Sequence, residues 1–429
     1  MNKTIFLSFL GTNNYLECIY QFPDNQSVQT KYTQIAVIQK HINEINELIF
    51  FLTEDAKKLN WEGEDKLKSE LNKLNIDESK IKTIDIPNGF NNDDLQNIFT
   101  KLVNNIPDEA NLIIDVTHSF RSLPITLSSV LEYLKKVKNV NVQYIYYGAF
   151  EVLGNPRDAQ NIAINDRIAP ILDITYLSAI QDWTTAIDHF LKFGNIDKLK
   201  KLSYNTIHPI LKETQGKDKV ASAIRDVVKG LEIMLQALYT CRIKDIRKSL
   251  EKFDEIKSSL DTVTHSGNNY ILPQIVEPFN KLKEKLDIIH EEDSRELQTI
   301  KLVQWCIDYN WIQQGYTLLQ ENLLSYLIVQ CGENPMDILQ RECLSQALYI
   351  IVNKTPEQQW KTSDKEKVKF YIEKYSNQIE LCKFYKTLSE YRNDINHAGS
   401  KENSMKAADI TEKLKETYDK TLTLIYNTE

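Results

Sequence analysis

Leu112-Ile-Ile-Asp-Val-Thr-His-Ser-Phe-Arg-Ser-Leu-Pro124 begins as a strand and ends as a helix. Leu112 to Val116 is a short apolar run of the kind that fills a strand buried on both faces, and it stops at Thr117-His118-Ser119. Ser119 fits a helix N-cap, Pro124 fits the first turn, and Leu127, Val130, Leu131 and Leu134 follow at helical spacing. A polar strand end that opens into a helix gathers free backbone N–H groups and the positive end of a helix dipole at one point. With Arg121 beside them, Thr117, His118 and Ser119 form a place for an anion such as a phosphate.

The same alternation extends on both sides. Ile5, Leu7 and Phe9 begin a strand ending at Gly11-Thr12-Asn13, with Tyr15 to Phe22 able to pair back onto it. Gln34 to Ile49 carries helical spacing, and Leu48 to Leu52 is a buried strand ending at Thr53-Glu54. Lys66 to Leu74 is an amphipathic helix, Ile81 to Ile86 a strand, Asp94 to Val103 a helix, and Val140 to Tyr147 a strand ending at Gly148. Strands alternating with helices imply a mostly parallel, Rossmann-like α/β sheet with helices on both faces, which binds ligands beyond the carboxyl ends of its strands. Gly11, Thr12, Asn13, Thr117, His118, Ser119, Arg121 and Gly148 are the candidate binding residues.

From Ile174 onward the pattern is helical. Leu177, Ile180, Ala186, Ile187 and Phe190 lie on one stripe, and Val227, Leu231, Met234, Leu235 and Leu238 on another. Thr355-Pro-Glu-Gln358 and Ser363-Asp-Lys-Glu366 fit capping boxes. The expected organisation is a ligand-sensing domain over 1–175, a helical linker over 176–200 and an all-α domain over 201–429.

Composition narrows the function. The 429 residues are 42 % hydrophobic, enough for two cores. A net charge of −8, with only nine arginines among 52 basic residues, argues against a general duplex-DNA binder. Six scattered cysteines, with no Cys-x-x-Cys pair, give no disulfide framework or zinc site and suit a reducing, cytoplasmic setting. The first eleven residues are too short an apolar run for a signal peptide or a membrane span. No dinucleotide fingerprint or P-loop occurs.

Near the C-terminus, Arg392-Asn-Asp-Ile-Asn-His397 places an arginine five residues before a histidine. On a helix the two lie roughly 140° apart, whereas Asn393 and His397 share a face. The spacing alone also fits a solvated helix end with Gly399 as its cap. Two copies meeting across a two-fold axis could bring both arginines and both histidines to one cleft. A guanidinium holding a phosphate and an imidazole moving protons could there assist attack of a ribose 2′-hydroxyl on its phosphodiester without a metal.

Together these motifs resemble the CARF–HEPN proteins of type III CRISPR systems, in which a Rossmann-like sensor binds a cyclic oligoadenylate and activates a helical HEPN ribonuclease. The resemblance rests on Phe9-Leu-Gly-Thr-Asn13, Asp115-Val-Thr-His-Ser-Phe-Arg-Ser-Leu-Pro124, Tyr146-Tyr-Gly-Ala-Phe150, Asp182-Trp183 to Phe193-Gly-Asn195, and Arg392 to His397. It covers the N-terminal half almost continuously and the C-terminal half mainly through its last motif. It implies a homodimer or an assembly of dimers, a cyclic oligoadenylate as allosteric activator with no other cofactor, single-stranded RNA as substrate, and Arg392, Asn393 and His397 as catalytic residues. The alternatives are a ligand-responsive regulator and a sensor that degrades its own ring through Thr117, His118 and Arg121, neither with ribonuclease activity.

Overall fold

The computed structural model describes residues 2–118, 123–265, 276–289, 293–362, 364–400 and 402–426. Its contacts divide it into two units, 1–179 and 180–429.

The first unit is built on β1 (Thr4–Leu10), β2 (Cys18–Gln21), β3 (Ser27–Thr30), β4 (Glu47–Leu52), β5 (Ile81–Asp85), β6 (Asn111–Asp115), β7 (Asn141–Gly148) and β8 (Ile168–Asp173). They form one sheet in the order β3-β2-β8-β7-β6-β1-β4-β5. β1 lies between β4 and β6, parallel to both, and every one of its residues is buried. Successive side chains go to opposite faces. Phe6 and Leu10 enter a core with α1 (Thr33–Lys40) and α3 (Leu67–Lys73), while Ile5, Leu7 and Phe9 enter another with α4 (Asn92–Asn105) and α5 (Leu123–Val137). A short helix, α2 (Glu54–Ala56), follows β4, and α6 (Pro156–Gln160) follows β7.

Two expectations are corrected. Tyr15 to Phe22 does not pair back onto β1, because β2 pairs antiparallel with β3 and parallel with β8. The positions beside β1 are already filled by β4 and β6. A strand also lies at 168–173, where none is expected: β8 runs antiparallel to β7. The remaining expected strands form, and the fold is the mostly parallel α/β sheet read from the sequence.

The second unit is helical throughout its described residues. α7 (Tyr176–Phe193) runs across the division, followed by α8 (Asp197–Glu213), α9 (Lys219–Tyr239), α10 (Ile243–Leu250), α11 (Phe253–His265), α12 (Val276–Leu286), α13 (Arg295–Lys301) and α14 (Val303–Asp308). α15 (Ile312–Gln330), α16 (Ile338–Asn353), α17 (Lys365–Tyr375), α18 (Ile379–Asn396) and α19 (Ala407–Tyr426) complete it. Within the stretch read as a linker, Trp183, Ala186, Ile187, Phe190 and Leu199 are buried in this unit's core. α15 is its axis. From Tyr316 to Ile328 nearly every residue is buried, on all sides, as befits a helix enclosed by others.

Neither capping box forms as read. Thr355 to Gln358 leads into a single 3₁₀ turn, Glu357–Gln359, without a side-chain cap, and the Thr355 carbonyl instead accepts the Trp360 indole N–H at 2.9 Å. The cap of α17 is Asp364, whose carboxylate accepts the Lys367 N–H at 3.0 Å; Ser363 lies outside the described residues. No described helix is long and apolar enough to cross a membrane. All six cysteines are free thiols.

Candidate functional site

The strand ends named from the sequence share one edge, since β7, β6, β1 and β4 are parallel neighbours in that order. At its centre Asp115, the last residue of β6, is wholly enclosed. Ser8 Oγ donates to its carboxylate at 2.8 Å, and Thr117 donates from Oγ1 at 2.5 Å and from its backbone N–H at 3.1 Å. Thr117 Oγ1 in turn accepts the Gly148 N–H at 2.8 Å. One carboxylate and one hydroxyl thus tie the ends of β1, β6 and β7 together. Burial pushes the Asp115 carboxyl up to about 6 against the pull of these three donors.

His118 stacks on Tyr15, ring centroids 4.2 Å apart. Its Nε2 is buried without a hydrogen-bond partner among the described residues, and burial pulls the imidazole down to about 3, so the ring is neutral at physiological pH. Tyr15 Oη accepts the Gly11 N–H at 2.9 Å, where a side chain at position 11 would collide with it. Thr12 and Asn13 are exposed beyond. Gly148 lies deeper: its N–H is taken by Thr117, and an added Cβ would fall 2.7 Å from Thr33 Oγ1. Thr53 caps α2, accepting the Ala56 N–H at 3.2 Å, so the β4 end is spent on local structure. Ser119 and Arg121 lie outside the described residues.

Sequence reading missed Asn60. It is buried on a π-helical turn, Lys57–Trp61, that continues α2, and its Nδ2 donates to both Gly11 O and Asn13 O at 2.9 Å. Nothing in Lys57-Lys-Leu-Asn-Trp61 announces this. Tyr15, four residues past Gly11, was legible only as the start of a strand.

Residues 5–151 match the family described as "CRISPR system endoribonuclease Csx1, CARF domain". The match falls within the N-terminal unit, which is similar to the CARF domains of that family. A "CRISPR-associated protein" of Methanocaldococcus jannaschii is 25 % identical to the chain over 296 residues, 68 % of this chain. That alignment spans 39 % of the relative's length.

In the helical unit, Arg392 sits in the last turns of α18 and is held against α15. Its Nε donates to Gln320 Oε1 at 2.7 Å, its Nη2 pairs with Glu321 Oε1 at 3.2 Å, and its Nη1 donates to Asn393 Oδ1 at 3.2 Å. Glu321 also holds Arg341 at 2.5 Å, so one carboxylate serves two guanidiniums. His397 caps α18, its N–H bonded to Asn393 O at 3.0 Å and its side chain exposed. Ala398 and Gly399 then take positive φ, and the Gly399 N–H reaches back to Asp394 O at 2.9 Å, closing the helix by a Schellman-type turn. The cap expected at Gly399 is therefore His397, and Gly399 stands two residues beyond it, where its N–H closes the turn. Arg392 and Asn393 are in contact, and His397 stands beyond the helix end in solvent.

Proposed function

We propose that the chain is an endoribonuclease of the CARF–HEPN kind, activated by a cyclic oligoadenylate and cleaving single-stranded RNA in type III CRISPR defence. One conjunction carries this reading: a match to the Csx1 CARF family at 5–151 and an Arg392-x4-His397 helix end stand in one chain. The ring's phosphates meet the edge formed by Gly11 to Asn13, Thr117 and His118, in two paired copies. Binding acts only insofar as the ring prefers the state in which the nuclease cleft is assembled.

In that cleft two copies of the α18 end face one another. Arg392 holds the scissile phosphate, with Asn393 beside it to orient the strand. The ribose 2′-oxygen attacks phosphorus as His397 takes its proton, the P–O2′ bond forms, and the P–O5′ bond breaks as the resulting imidazolium gives that proton to the leaving oxygen, directly or through water. The product carries a 2′,3′-cyclic phosphate. This chemistry asks only for an imidazole and a guanidinium. Self-degradation of the ring draws no support from Thr117, whose hydroxyl is committed to Asp115.

The test is cleavage of single-stranded RNA across a panel of cyclic tri-, tetra- and hexa-adenylate. One ring should accelerate the wild type, and His397→Ala should lose at least about 10²-fold of that rate. Equal rates in the two proteins would remove His397 from the mechanism.

A further inference from the structure

We infer that Asn60 is the positioning residue of the ring-binding edge, acting by turning two backbone amides outward toward a phosphate. The inference rests on the sensor reading above and assigns the donors within it.

The geometry follows from one side chain. Asn60 has two amide hydrogens, and both are used, one on Gly11 O and one on Asn13 O, each at 2.9 Å. Since both partners only accept, the nitrogen of the side-chain amide must face them. In a trans peptide the C=O and the following N–H point in opposite directions across the plane. Pinning Gly11 O inward therefore points the Thr12 N–H away from Asn60. Pinning Asn13 O does the same for the Asn14 N–H. Neither N–H has an acceptor among the described residues, and Thr12, Asn13 and Asn14 are all exposed. The Gly11 N–H is already occupied by Tyr15 Oη, which excludes it as a ligand donor.

Two free donors two residues apart, held by a buried clamp, suit the two non-bridging oxygens of a phosphodiester. The clamp itself is rigidly mounted. Trp61, next to Asn60, is buried against Phe50 of β4 with ring centroids 5.0 Å apart, and the π turn is closed by the Glu62 N–H on Lys57 O. Asn60 touches no ligand. It fixes two peptide planes before the ligand arrives, so that less ordering remains to be done on binding.

The experiment uses the full chain, with Asn60→Asp, which keeps the shape and removes the donors, and Asn60→Ala. Affinity for the activating cyclic adenylate and the ring concentration for half-maximal RNA cleavage should each weaken by about tenfold. The cleavage rate at saturating ring should stay within about twofold, because the nuclease residues are untouched. A general loss of structure would instead lower that maximal rate. In the wild type, hydrogen exchange over residues 11–15 should slow on adding the ring. Unchanged affinity in a folded variant, a fall in the maximal rate matching the fall in affinity, or no protection at Thr12 and Asn14 overturns the assignment to Asn60 alone. A wild type that binds none of the rings overturns the sensor reading and this inference with it.

Discussion

Asp115 and Thr117 show how far a few atoms determine the sensor edge. A carboxyl pushed up to about 6 in the folded chain, from an ordinary value of 3.8, binds its proton more tightly folded than unfolded. Its contribution to stability is therefore fully present below the ordinary value and is lost as pH rises through about 6. Relative to Asp115→Asn, the wild type should lose about 3 kcal/mol of unfolding free energy between about pH 3 and pH 7, measured by denaturant titration at each pH. His118 has the opposite sign. Its imidazole is pulled down to about 3, so stability is complete above the ordinary value of 6.5 and falls as the solution is acidified. His118→Phe should accordingly flatten the acid side of the curve, while Asp115→Asn flattens the neutral side. Thr117 and His118 were legible as a polar strand end, but their partners were not. Ser8 reaches Asp115 across 107 residues, and Asn60 reaches Gly11 across 49, separations that no local pattern encodes.

Among elements, close approach is enforced where glycine stands. A Cβ on Gly148 would press on Thr33 at the start of α1, and one on Gly315 of α15 would fall 2.6 Å from Leu414 Cδ2 of α19. Gly148→Ala and Gly315→Ala should each cost about 1–3 kcal/mol by the denaturant midpoint, the usual penalty for overpacking. The plainest strands to read were those whose side chains are buried on both faces: β1, β4 and β6 are apolar nearly throughout, while β5 and β7, more exposed, were read from their place in the alternation. β3 (Ser27–Thr30) and β8 (Ile168–Asp173) could not be read, the first being four residues with exposed alternate positions and the second carrying Pro170 inside the run. The stripes of α7 and α9 were plain because each buries one face, whereas α17 starts at an aspartate beside the serine that fits the motif.

For the whole protein, the proposed cleft makes activity a property of two copies. Rate per chain at saturating ring should fall on dilution, and co-expressed Arg392→Ala and His397→Ala chains should recover cleavage that neither has alone. No recovery would mean that arginine and histidine serve the same RNA from a single chain. A last consequence concerns the order of assembly. β8 alone joins the β2–β3 hairpin to the rest of the sheet, by parallel pairing on one side and antiparallel on the other. The hairpin ends at Thr30, yet its seat, β8, is complete only at Asp173, well over a hundred residues later in the chain. During translation these two early strands must wait, exposed to chaperones, for nearly the whole sensor to be made.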